Sequence, residues 1–168
     1  DETFQMGNGG WELLLRAQGQ AHISGPFAAY ASGYYGFSLT EHTNVMHHAP
    51  SGAPVALRGV PDTYSGRLGV AYLLPVLEGL VLTAGGRING ATSKDVFGGA
   101  DLYWRRPGYE VYVEPGISWT LGPNIASFSF PVGVYRRKLD SPLDVSQGLT
   151  RGAAFVPYLV IASFARRF

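Results

Sequence analysis

In stretch after stretch between Trp11 and the last residue, Phe168, apolar side chains recur at every second position. That is the period of a strand with one greasy face, and it argues against a helical protein. Seven stretches follow the rule. The first sets Trp11, Leu13, Leu15 and Ala17 against Glu12, Leu14, Arg16 and Gln18. The next runs from Phe27 to Ser38, and others cover Tyr64 to Leu74, Leu80 to Asn89, Tyr109 to Trp119 and Ile125 to Arg137. The last is read as one long strand from Ala153 to Phe168. Short turns at Ser24-Gly25-Pro26, Pro75 to Gly79 and Gly122-Pro123-Asn124 alternate with long irregular loops at about 40–63, 90–108 and 138–152, and Gly7-Asn8-Gly9-Gly10 reads as a loop before the first strand.

Composition narrows the environment. Charged residues make up 15% of the chain and there are 23 glycines, against about 25% charge in an ordinary soluble domain. There are no cysteines, so disulfides and thiolate metal sites are excluded. A net charge of +1 with scattered Lys and Arg gives no nucleic-acid signal. No apolar run approaches the roughly 20 residues of a membrane helix. If the chain lies in a membrane it must therefore cross as a closed sheet, the other structure that satisfies every backbone group in lipid. Asp1-Glu2-Thr3 has no basic start or apolar core, so either a leader has been removed or the chain begins partway through a precursor.

Alternation alone does not separate a membrane barrel from a sandwich in water. The placement of aromatics does. On the greasy face Trp11, Phe37, Tyr64, Tyr109 and Tyr158 stand near the long loops, and Phe27, Tyr72, Trp119, Phe128 and Phe164 near the short turns, with aliphatic residues and glycine between. A core would place its rings centrally; two girdles around an aliphatic band are the pattern of a transmembrane barrel. The expected fold is an all-β, antiparallel transmembrane β-barrel of about seven visible strands, with residues 1–168 forming one barrel domain or part of one. The closing strand is long enough for the 9 to 11 residues of a tilted crossing.

A strand ending on Phe168 resembles the closing signal of bacterial outer-membrane barrels. Gly9-Gly10-Trp11, Val60-Pro61-Asp62, Arg106-Pro107-Gly108-Tyr109, Val113-Glu114-Pro115-Gly116-Ile117-Ser118 and Phe130-Pro131-Val132 resemble the outer-membrane transporter group linked to phenol-degradation gene clusters, the MetA-pathway-like family. The resemblance implies an outer-membrane location and further strands before the part matched here. Its implied partners are membrane lipid, lipopolysaccharide and the barrel-assembly machinery acting on the C-terminal strand. Single-chain bacterial barrels are even-numbered. Seven strands therefore mean either the C-terminal part of a larger barrel, with an N-terminal barrel fragment as a second chain, or a complete eight-stranded barrel.

By phase, Glu12, Arg16, Arg67, Arg87, Glu110, Glu114 and Arg137 face the interior, with Tyr30, Tyr34, Tyr112 and Tyr135 among them. Facing Arg and Glu rows orient and select polar solutes in a constriction. The bland alternative is a salt-bridge network that plugs a narrow lumen. His42, His47 and His48 are weak metal candidates, since adjacent imidazoles do not converge; no cofactor is expected. Ser38, Glu41 and His42 could be drawn as a nucleophilic set, but nothing in the sequence fixes it. Pro115, Pro131 and Pro157 inside strands each imply a bulge, an edge or a locally open position, and a bulge would shift the faces beyond it. The expected function is a non-enzymatic outer-membrane channel for small polar or amphipathic solutes. The rivals are a structural or assembly barrel and a lipid-modifying enzyme.

Overall fold

A computed structural model describes residues 10–48, 54–97, 102–149 and 154–168. The fold is mostly antiparallel β, a strongly curled half-barrel sheet. Its strands are β1 (Glu12–Ser24), β2 (Phe27–Ser38), β5 (Thr63–Leu73), β6 (Leu80–Ala91), β7 (Gly108–Leu121), β8 (Asn124–Ser129), β9 (Val132–Lys138) and β10 (Ile161–Arg166). β3 (His42–His48) and β4 (Pro54–Gly59) form a separate two-stranded ladder, and α1 (Pro142–Gln147) precedes β10. Order in the large sheet is β1-β2-β5-β6-β7-β8-β10, with β9 also on β7, so each strand lies beside its predecessor on the meander. Gly122, at φ 56°, makes the tight turn between β7 and β8 that a side chain would strain.

The registers stack one row across the sheet: Gln18, Ser32, Arg67, Arg87, Tyr112 and Gly133. This row belongs to the inner face, where Glu110, Tyr112 and Glu114 are buried. On the same strand Val113, Ile117 and Trp119 face the other way and are exposed. The faces read from the sequence therefore hold in β1, β2, β5, β6, β7 and β8.

They fail in β9. Val113 pairs with Val132 and Tyr112 with Gly133, but Val111 pairs with Tyr135, so Val134 is an extra residue in the ladder. A bulge of one residue turns everything beyond it over. Tyr135 and Arg137, expected inside, stand opposite Val111 and Tyr109 on the outer face, and Arg136 is the inward cation, 3.1 Å from Glu110. Arg136→Ala is thus expected to lower stability by about 1 kcal/mol, the scale of a partly exposed ion pair. Arg137→Ala should leave it unchanged, and urea titrations of the two variants will separate them.

The prolines explain two further departures. The stretch expected as one strand from Ile125 to Arg137 is divided into β8 and β9 at Phe130-Pro131. The closing stretch is a regular strand only over β10, preceded by an isolated bridge between Tyr158 and Val132; Ala153 lies outside the described residues. Leu159 N–H donates to the Pro131 carbonyl and Gly133 N–H to the Pro157 carbonyl. The return bond of each pair would need a proline N–H, which does not exist. The ladder between β9 and this segment is therefore half-bonded, and full pairing resumes only at Ile161 on Ser129.

The long loops are also more ordered than expected. Residues 40–63 contain the β3–β4 ladder, and 138–152 contain α1. That helix is six residues long, too short to show a 3.6 period, and rests on a capping box between Ser141 and Asp144 with Gly148 closing it in the left-handed region. The loop reading of Gly7 to Gly9 lies outside the described residues.

Candidate functional site

The inner face is organised around Glu114, which is 1% exposed. Its carboxylate accepts from Arg87 Nε at 2.5 Å and Nη2 at 3.1 Å, and lies 2.6 Å from Arg67 Nη2. β5, β6 and β7 carry these three residues, and the register sets Arg67 directly opposite Arg87. Two like charges side by side would repel; the single carboxylate on the next strand is what holds them. Arg67 also lies over the Tyr30 ring at 5.5 Å. Tyr30 can lie flat there because Gly69 and Gly85 offer no side chain: a Cβ on either would come within 2.6 Å of its hydroxyl oxygen.

One layer nearer the long loops, Glu110 accepts the Tyr112 hydroxyl proton and a 3.4 Å bond from Val156 N–H, and pairs with Arg136. Ser65 donates to Asn89 at 2.7 Å on the same face. Glu12 and Arg16 are inward too but stay out of this cluster. Glu12 takes the Thr63 hydroxyl at 2.7 Å and Arg16 reaches Gln18 at 3.3 Å, both at exposed β1. Of the expected inner set, then, Arg67, Arg87 and Glu114 form one bonded group and Glu110 and Tyr112 a second, on the same face.

The outer face carries the aromatic rows. Phe27 pairs with Tyr72, rings 4.9 Å apart, and this row continues through Leu82 and Ile117 to Phe128. Trp119 and Phe164 lie one pair nearer the turns, both opposite Ala126. At the other end Tyr35, Tyr64, Gly90 and Tyr109 align, with Phe37 and Trp11 beyond and Tyr158 on the segment before β10. Between the rows lie Ala31, Leu68, Gly86, Val113 and Val132. From Tyr64 to Tyr72 is eight residues, about 26 Å along the strand. Phe168 is fully exposed, with Arg166 over its ring at 5.7 Å.

A second buried polar cluster ties the loop bases together, and the sequence reading missed it. Asp62 accepts from Tyr35 Oη at 2.9 Å, Ser38 N–H at 2.7 Å and Val96 N–H at 2.9 Å. Its own N–H donates to Asp95 at 2.8 Å, and Asp95 pairs with the buried Arg105 at 2.9 Å. The available signal was Asp and Arg in loops otherwise rich in Gly and Pro. Tyr35→Phe removes one of these bonds and should cost about 1 kcal/mol, readable as a lowered urea midpoint.

The histidines are dispersed. His47 stacks on Trp104 at 3.8 Å, and His42 tilts against Tyr103 at 4.6 Å. Among the described residues no three metal-ligating side chains converge on one point, His48 included. Ser38 donates its hydroxyl proton to the Thr40 carbonyl, and His42 Nδ1 lies on the Thr43 carbonyl. The Ser38, Glu41, His42 set therefore has no base in place for the hydroxyl. No family model, curated protein or solved structure matches the chain.

Proposed function

We propose that the sheet is the wall of an outer-membrane β-barrel that passes small polar solutes along its charged inner face. One observation carries the reading: burial is inverted. Glu110, Glu114 and Tyr112 are buried while Leu68 is 71%, Val134 60% and Phe164 70% exposed. In water, so much exposed apolar surface would be an aggregation hazard; facing lipid it is the expected outer surface, and its two aromatic rows match interfacial girdles. No described helix is long and apolar enough to cross a membrane. The bacterial location, the lipid and assembly partners and the likeness to phenol-degradation-linked transporters belong to this proposal, supported by the resembling motifs alone.

The test is reconstitution into planar bilayers. Wild type is expected to conduct, and Arg67→Ala and Glu114→Ala to move the reversal potential in a salt gradient in opposite directions. Absence of conductance would favour the second reading, a structural barrel plugged by its own ion pairs, which the mutual pairing of Arg67, Arg87 and Glu114 supports.

A further inference from the structure

On the inner face near the long loops is a cavity of about 300 Å³ whose lining includes Tyr34, Asn89, Arg106, Glu110 and Phe155. We infer that it is a binding site for a small organic monoanion, a carboxylate with a short apolar body, held by Arg106. The inference rests on the inner face being a solute path.

Charge accounting leads there. Glu110 is charge-matched by Arg136 and its Oε2 accepts from the Tyr112 hydroxyl and Val156 N–H, while its Oε1 makes no hydrogen bond. With that one acid matched by one base, Glu110 does not balance a further cation at the cavity. Arg106 differs. Its side chain is exposed and lies over the face of Trp104, 4.8 Å away; among the described residues it pairs with no carboxylate. An indole face holds a guanidinium in place while leaving its N–H fork unfilled. The cavity therefore combines one uncompensated cation with the Asn89 amide, the Tyr34 hydroxyl and the ring of Phe155. A planar fork matches a carboxylate bidentately, and the ring offers apolar surface to whatever carries that carboxylate. Arg67 continues the same sign deeper in: it shares its single carboxylate with Arg87, so two guanidiniums meet one acid. An anion released from Arg106 moves on toward a face that still carries excess positive charge.

The experiment is a calorimetric titration of the detergent-purified protein with sodium pentanoate at fixed ionic strength, with neutral pentanamide as comparison and bilayer conductance measured on the same preparation. Saturable pentanoate binding is expected, absent for pentanamide. Arg106→Gln should weaken it about tenfold or more, the loss of one charge-assisted pair, and Arg106→Lys should restore part of it. Arg106 is exposed, so neither variant threatens the fold. Tyr34→Phe should weaken binding less. Failure to bind pentanoate, equal binding of pentanamide, or an unchanged affinity in Arg106→Gln would each overturn the site. Conductance without pentanoate binding would sink this site and leave the channel standing; binding without conductance would do the reverse.

Discussion

Glu114→Ala is expected to be the most damaging single change on the inner face, lowering stability by about 3–5 kcal/mol, the cost of removing one partner from a buried ion pair. The physical reason is the geometry of three strands. The register fixes Arg67 opposite Arg87, and the β7 carboxylate lies within 3.1 Å of both guanidiniums. Alanine leaves two facing cations with their desolvation uncompensated. Glu114→Gln keeps the shape and loses the charge, so the difference between the two variants isolates the electrostatic part. Urea unfolding in detergent or lipid vesicles, followed by tryptophan fluorescence, reads the stability. A loss below about 1 kcal/mol would mean that the arginines relax into water, and that this part of the face is hydrated rather than packed.

Leu68→Arg carries the second large effect and tests the environment of the outer face. Leu68 is 71% exposed and Val76, in the turn before β6, is 84% exposed. To a protein in water the two positions are equivalent, and arginine at either should change stability by no more than about 0.5 kcal/mol. In a bilayer they differ. Leu68 lies in the aliphatic row between the aromatic rows, where arginine costs about 2–4 kcal/mol, and the turn lies outside the band, where the cost falls toward about 0–1 kcal/mol. The comparison is the pair of urea midpoints in phospholipid vesicles. Equal midpoints for Leu68→Arg and Val76→Arg would remove the lipid-facing reading, whatever the conductance experiments give.

The sequence was most legible where one rule governs many residues. Side chains alternate across a strand, so the faces of β1, β2, β5, β6, β7 and β8 followed from counting, and with them the inward positions of Arg67, Arg87, Glu110, Tyr112 and Glu114. The rows of Phe27, Tyr72 and Phe128, and of Tyr64 and Tyr109, came from the same count. Where a single local event intervened, counting failed. The extra residue Val134 turns Arg137 outward and brings Arg136 inward onto Glu110. A bulge near the strand prolines that shifts the faces beyond it was expected; its position at Val134 was not, because Tyr135-Arg136-Arg137-Lys138 can set either arginine inward. Pro131 and Pro157 announced a locally open ladder but not its extent: each deletes one bond of a pair, and two deletions in one ladder shorten the closing strand to Ile161–Arg166.

Loop order was the least visible. The bond from Asp62 N–H to Asp95 spans 33 positions, and the β3–β4 ladder meets Trp104 through backbone bonds of Leu57 and Gly59, the stacked His47 ring and the Arg58 guanidinium. Such contacts have no periodic signature.

By itself, then, the sequence determined that this chain is a sheet with one apolar and one polar face, because side-chain direction in a strand depends only on the parity of position. Which arginine meets which carboxylate, where the ladder breaks and which cation stays uncompensated beside a cavity were decided only by the tertiary structure. Pairing is a relation between strands, and register and bulges are set by the sum of cross-strand contacts rather than by any one segment.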